Sequence, residues 1–329
     1  MWVDTSVVIE MAQAKNDVSQ NDIAHKRGID LYNKLQNLTT KGSIIYLDAQ
    51  QRDEYGNNPK LFNEIDDLHI QLSQGIRIQH EVITKQYQIQ RMMKVYCGNS
   101  NKFELMDDDI FSNDPANILE QSKKLGMFVT VKRKILEEER NENRRVRDNI
   151  ISGWENIRLN RKARKISYKQ ALKEEYAGEW LAIRNVLRKR LNQKMQNTNL
   201  LEEDFMTFLG ESHTLSPIDW WRIETHKSSD LESLKNFYLS EAFKLIPYIE
   251  IKSKLLAYLI TIDGPVKRGD YGDSEHLSQI LPYADLIITD SAMKHRVNEL
   301  GLATKYNTDI MSLKEFDKIM ESLDKLSQI

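Results

Sequence analysis

The sequence has little of what several large protein classes require. A single cysteine, Cys97, among 329 residues excludes an internal disulfide framework and fits a reducing compartment. The longest uninterrupted apolar run, Leu255–Ile260, has six residues. Spanning a bilayer takes roughly 18–20, so no membrane partner is expected. The opening Met1-Trp2-Val3-Asp4 has neither a basic n-region nor an apolar h-region, so no secretory signal is expected and the location is expected to be cytoplasmic. There is no glycine-rich phosphate loop followed by lysine, which leaves ATP or GTP use unsupported. A serine nucleophile elbow is also missing. His213 and His226 lack the spacing of a zinc-binding helix.

What is present is charge, unevenly placed. The chain carries 47 basic and 49 acidic residues, with 40% apolar and 29% charged residues overall. That composition is globular, and the length allows one large domain or two ordinary ones. Residues 131–195 hold 19 Lys or Arg against 9 Asp or Glu, so a basic block sits inside an otherwise acidic chain. Arg158, Arg161, Lys162 and Lys165 recur at i, i+3, i+4 and i+7, and Arg184 and Arg188 are four apart; each set lines one helix face. With Arg144 and Arg145 they form the pattern expected for phosphate contacts. The alternatives are a solvated helix pair, or a surface for an acidic protein partner or a second copy.

Read along the chain, both ends alternate strand and helix. Trp2-Val3 is a short strand and residues 7–12 a helix. Residues 23–38 follow a helical period and stop at Gly42. Ser43–Leu47 reads as a buried strand, followed by a helix over 48–55. From Pro59 to about Leu245 the pattern is helical throughout. It includes 60–74, 81–96, 115–124 behind Asp114, 130–165, 168–195, 207–221, and 231–260 with a break at Pro247. The end reads as a turn over Gly269–Asp273, a helix over 274–281, and a strand over Leu286–Thr289. A helix over 292–300 ended by Gly301, a strand over 303–306, and a helix over 313–326 follow. This predicts an α/β domain made of 1–58 and 245–329, interrupted by an all-helical insertion over 59–244 with its basic helices at 131–195. Trp220 and Trp221 read as docking residues.

Acids sit at the strand-to-helix junctions. Asp4 and Asp290 each follow a strand and precede a helix, and Glu54 lies in the helix after Ser43–Leu47. Asp273 shares a helix face with Leu277 and Ile280. In an open parallel sheet, ligands collect at the carboxyl ends of the strands. Converging carboxylates repel by roughly 4 kcal/mol per close pair at an effective dielectric near 20, so they call for a cation. Oxygen ligands without Cys or His point to Mg²⁺ or Mn²⁺. Each Asp taken singly is also a preferred helix N-cap.

The stretch Val3-Asp4-Thr5-Ser6-Val7-Val8-Ile9 resembles the opening of PIN-domain nucleases. The stretch from Asp273-Ser274-Glu275-His276-Leu277 through Asp285-Leu286-Ile287-Ile288-Thr289-Asp290 resembles their closing half. The resemblance covers about residues 1–58 and 245–329. It implies a parallel sheet flanked by helices and Mg²⁺- or Mn²⁺-dependent cleavage of RNA, in a family with many bacterial toxins and defence effectors. Carried over, it makes Asp4, Glu54, Asp273 and Asp290 the metal-binding acids, with Asp285 and Asp270 in reserve. Thr5, Ser6 and Thr289 become supporting hydroxyls. The resulting expectation is a metal-dependent endoribonuclease, with a homo-oligomer or regulatory protein as a further partner. The rival expectations are a nuclease acting on DNA, and a non-catalytic nucleic-acid- or protein-binding module on the same scaffold.

Overall fold

The computed structural model describes residues 1–16, 22–48, 61–125, 137–196, 216–225, 231–267 and 269–327. It is predominantly helical, with one three-stranded parallel sheet. Two compact units are present. The first comprises Met1–Glu81, Ile110–Asn156 and Pro265–Ile329; the second comprises Val82–Asp109 and Ile157–Gly264. Among the described residues, no helix is long and apolar enough to cross a membrane.

In the first unit the sheet is built from β1 (Trp2–Val3), β2 (Leu286–Thr289) and β3 (Asp309–Ser312), in the order β1-β2-β3. The helices around it are α1 (Thr5–Lys15), α2 (Asp22–Lys41), α3 (Phe62–Ser73), α4 (Gly269–Ile280), α5 (Ser291–Glu299) and α6 (Phe316–Leu326). Trp2 pairs with Ile287 and Val3 with Ile288, and β2 runs in register with β3 from Leu286–Asp309 to Thr289–Ser312. All of β1 and β2 is buried, as expected for parallel strands covered on both faces. The pleat sends Val3, Leu286 and Ile288 to one side. There they join Val8 and Met11 of α1, Leu35 of α2, Ile65 and Leu68 of α3, and Ile319 and Leu323 of α6. Helix α3, from the stretch read as the start of the insertion, thus contributes to the core under the sheet.

Most predicted helices form with ends shifted by a few residues, and Leu286–Thr289 and Glu81–Tyr96 form as expected. The Gly42 stop is a Schellman motif. Gly42 has φ +74°, its N–H donates to Thr39 O, and the Ser43 N–H donates to Leu38 O. Three local expectations are corrected. Residues 43–47 do not form a full strand, because only Leu47 bridges to Trp2 in parallel. Gly269–Asp273 is the first turn of α4 rather than a separate turn. Residues 303–306 lie in a short helix, Leu302–Tyr306, bounded by left-handed Gly301 and Asn307, and the strand follows at Asp309–Ser312. The residues predicted as a helix over 48–55 lie outside the described residues from 49 on, as do 126–136 and 197–215.

The second unit has an aromatic core. Trp180 and Ile183 of helix Tyr168–Gln196 pack with Trp221, Phe237, Tyr238, Phe243 and Tyr248. The Tyr238 and Phe243 rings lie 4.6 Å apart. Trp221 is buried and Trp220 packs against the same core, so this pair docks as expected. Pro247 takes the first position of helix Pro247–Leu259 and separates it from Leu231–Tyr238 and Glu241–Lys244. The two long basic helices, Glu137–Ala163 and Tyr168–Gln196, are joined by another Schellman turn, with Lys165 rather than glycine at φ +53°. A side chain is strained there. Lys165→Gly is expected to raise stability by roughly 0.5–1 kcal/mol, read as a higher midpoint in denaturant.

Candidate active site at the carboxyl edge of the sheet

Asp4 sits where β1 ends and α1 begins. Its N–H continues the ladder, donating to Ile288 O at 2.8 Å. Its Oδ1 accepts from Ser6 N at 2.7 Å and from Ser6 Oγ at 2.5 Å, so it caps α1. Its Oδ2 lies 3.4 Å from the hydroxyl of Thr289, the last residue of β2. Asp4 is 6% exposed and Thr289 fully buried. Asp290 follows at the same edge, exposed, and caps α5 through Oδ1, which accepts from Ala292 N and Met293 N. Two of the predicted acids, Asp4 and Asp290, and two of the predicted hydroxyls, Ser6 and Thr289, therefore meet at neighbouring strand ends.

Asp273 approaches from α4. The C-terminal end of that helix lies at the amino ends of the strands. There Thr308, just before β3, donates through its hydroxyl to Leu281 O, and Asp309 N–H donates to Asp285 O. Helix α4 therefore runs opposite to the strands. Its register is marked by His276, whose ring lies 6.1 Å from that of Trp2. From His276 to Asp273 the helix rises about 4.5 Å toward the carboxyl edge. From Trp2 to Asp4 the strand rises about 6.6 Å in the same direction. Asp273 therefore lies toward the carboxyl edge of the sheet. Its Oδ2 lies back over Gly269, where an added Cβ would come within 3.7 Å.

The other acids divide. Asp285 is exposed at the amino end of β2, the opposite edge from Asp290, so the strand itself separates it from the group. Asp270 is buried and paired with Arg296, with Nη1 to Oδ1 at 2.5 Å, which commits it to that cation. Glu54 lies outside the described residues. Asp48 follows Leu47 as Asp4 follows Val3. It stands 3.9 Å from Nδ1 of buried His69, which is 3.1 Å from Tyr46 Oη. Among the described residues, no three His, Cys, Asp or Glu form a group able to hold a metal ion. The hard oxygen chemistry of Asp4, Asp273 and Asp290 suits Mg²⁺ or Mn²⁺, and the described acids alone do not complete a ligand set.

The basic residues are more occupied than their spacing suggests. Arg158 is buried, and its Nη1 donates to the carbonyls of Ile262 and Asp263, beyond the end of helix Pro247–Leu259. Arg161 meets Glu174 and Glu175, each at 3.1 Å. Lys162 pairs with Asp263 and Arg145 with Glu142 on the surface, where such pairs exchange readily. Arg144, Lys165, Arg184 and Arg188 are exposed. Tyr168 is half-buried, and its hydroxyl is pushed up to about 12, first by burial and then by the charge of Glu250.

Helix α5 is tied to the end of β3 by an ion pair between Lys294 and Glu315. The Lys294 hydrogen bond, followed by one from the Ser312 backbone, holds the Glu315 carboxyl down at about 2. A depressed carboxylate contributes stability above its unfolded value, and that contribution fades as pH falls toward the folded one. Glu315→Gln is therefore expected to be less stable than wild type at pH 7. The gap should close between about pH 4.5 and 2 in urea-melt midpoints. Comparison with protein-family models, curated proteins and solved structures finds no match to this chain.

Proposed function

We propose that the protein is a metal-dependent nuclease with a PIN-like catalytic domain, acting on RNA through Asp4, Glu54, Asp273 and Asp290. The observation that carries the reading is the meeting of Asp4 with Thr289 across β1 and β2, with Asp290 one residue further on. Residues from the two ends of the chain thus put carboxylates at the strand edge where open parallel sheets bind ligands. A bound Mg²⁺ or Mn²⁺ would polarise the phosphodiester and lower the pKa of an attacking water. Ser6 and Thr289 orient the Asp4 carboxylate, and the α1 cap fixes its direction. The exposed Arg144, Lys165, Arg184 and Arg188 supply positive charge for a polyanion.

A second reading has its own support. Asp4 and Asp290 each cap a helix, which would be enough to keep an acid there in a non-catalytic binding module. Asn caps as well as Asp, so Asp4→Asn and Asp290→Asn remove the charge and keep the cap. With a labelled panel of single-stranded RNA, tRNA and DNA in Mn²⁺, each variant is expected to lose cleavage by on the order of 100-fold or more. Each should also lose the Mn²⁺-dependent rise in melting temperature that wild type gains from binding in the native state. Wild-type cleavage rates in either variant would remove the catalytic assignment. DNA cut in preference to RNA would redirect the substrate.

A further inference from the structure

The first turn of α4 carries Asp273 and is tied to α5 by an ion pair. Its sequence is Gly269-Asp270-Tyr271-Gly272-Asp273. Two glycines weaken a helix, and this is the stretch whose sequence reads as a turn. The rest of the helix is secured otherwise. Leu277 and Ile280 are fully buried, and Gln279 Nε2 donates to Gln79 O at 2.8 Å. At the first turn the anchor is polar. Asp270 is 3% exposed and Arg296 of α5 is 9% exposed. Arg296 Nη1 meets Asp270 Oδ1 at 2.5 Å, and Asp270 Oδ2 accepts from Lys267 N at 2.6 Å. The Asp270 carbonyl accepts from Ser274 Oγ at 2.6 Å. Arg296 sits on the helix that begins at Asp290, so one guanidinium links the elements bearing two of the proposed site acids.

We propose that Arg296 is a positioning residue: by clamping Asp270 it folds the first turn of α4 and holds Asp273 toward the carboxyl edge. The role rests on the nuclease reading for its consequence, and on the ion pair alone for its geometry. Asp270 accordingly serves as an anchor rather than a metal ligand. The planar guanidinium suits this task, because it holds a carboxylate in a fixed orientation that a lysine ammonium does not impose.

The test uses the full chain with Arg296→Lys and with the neutral double variant Asp270→Asn/Arg296→Gln, which leaves neither charge buried alone. Backbone hydrogen exchange is measured over 269–280, alongside Mn²⁺ titration and steady-state cleavage. The double variant is expected to exchange at least about tenfold faster over 269–274, with 277–280 unchanged. Its Mn²⁺ midpoint should be about tenfold weaker, and kcat should fall with KM little altered. Arg296→Lys should fall between the double variant and wild type. Unchanged protection over 269–274 overturns the clamp. Faster exchange with wild-type Mn²⁺ affinity and turnover reduces the pair to a structural tie and overturns the positioning role. A wild-type protein that neither binds Mn²⁺ nor cuts any nucleic acid overturns the nuclease reading and this consequence with it, while the exchange result still reports on the clamp.

Discussion

The parallel pairing of two short strands carries everything that follows. Val3 stands opposite Ile288, so the next residues along, Asp4 and Thr289, touch although 285 positions separate them in the chain. A strand of two residues has no stability of its own. What fixes it is burial on both faces: Val3 in the core built by α1, α2, α3 and α6, and Trp2 against His276 of α4. The site's geometry is therefore a property of the hydrophobic core rather than of the polar residues that line it. Within that frame the polar contacts set direction. Ser6 and Thr289 orient Asp4, and the α5 cap orients Asp290.

Much of this was legible in the residues. Asp4 and Asp290 stand out because an acid after an apolar run and before a helical period is both a cap and a strand-end group. Helices with a clear period, such as Glu81–Tyr96, were readable for the same reason. The first turn of α4 was not legible. Glycines and aspartates read locally as a breaker, and the compensating contact comes from Arg296, twenty-six residues away. The last strand lies at Asp309–Ser312 rather than over 303–306, because a five-residue helix between two left-handed residues looks like a short apolar run. Ser43–Leu47 has strand composition, yet only Leu47 forms a β-bridge, since β1 is too short to pair with more.

Spacing also overstated the basic face. Arg158, Arg161 and Lys162 do line up as helical periodicity requires, while Lys165 falls past the helix end at φ +53°, and periodicity says nothing about what the side chains meet. Arg158 is spent on the carbonyls of Ile262 and Asp263, and Arg161 on two glutamates. Arg144, Lys165, Arg184 and Arg188 are the exposed remainder. In the same way Asp270, acidic and close in sequence to Asp273, is neutralised by Arg296.

The central proposal is that a divalent cation binds at the carboxyl edge of the sheet, where Asp4 and Asp290 stand at neighbouring strand ends. Anomalous diffraction from crystals grown with Mn²⁺ tests it most directly. A manganese peak coordinated by Asp4 and Asp290, with Glu54 and Asp273 in the same sphere, is the predicted result. A map with no manganese at that edge, or with manganese bound only elsewhere on the molecule, would contradict it.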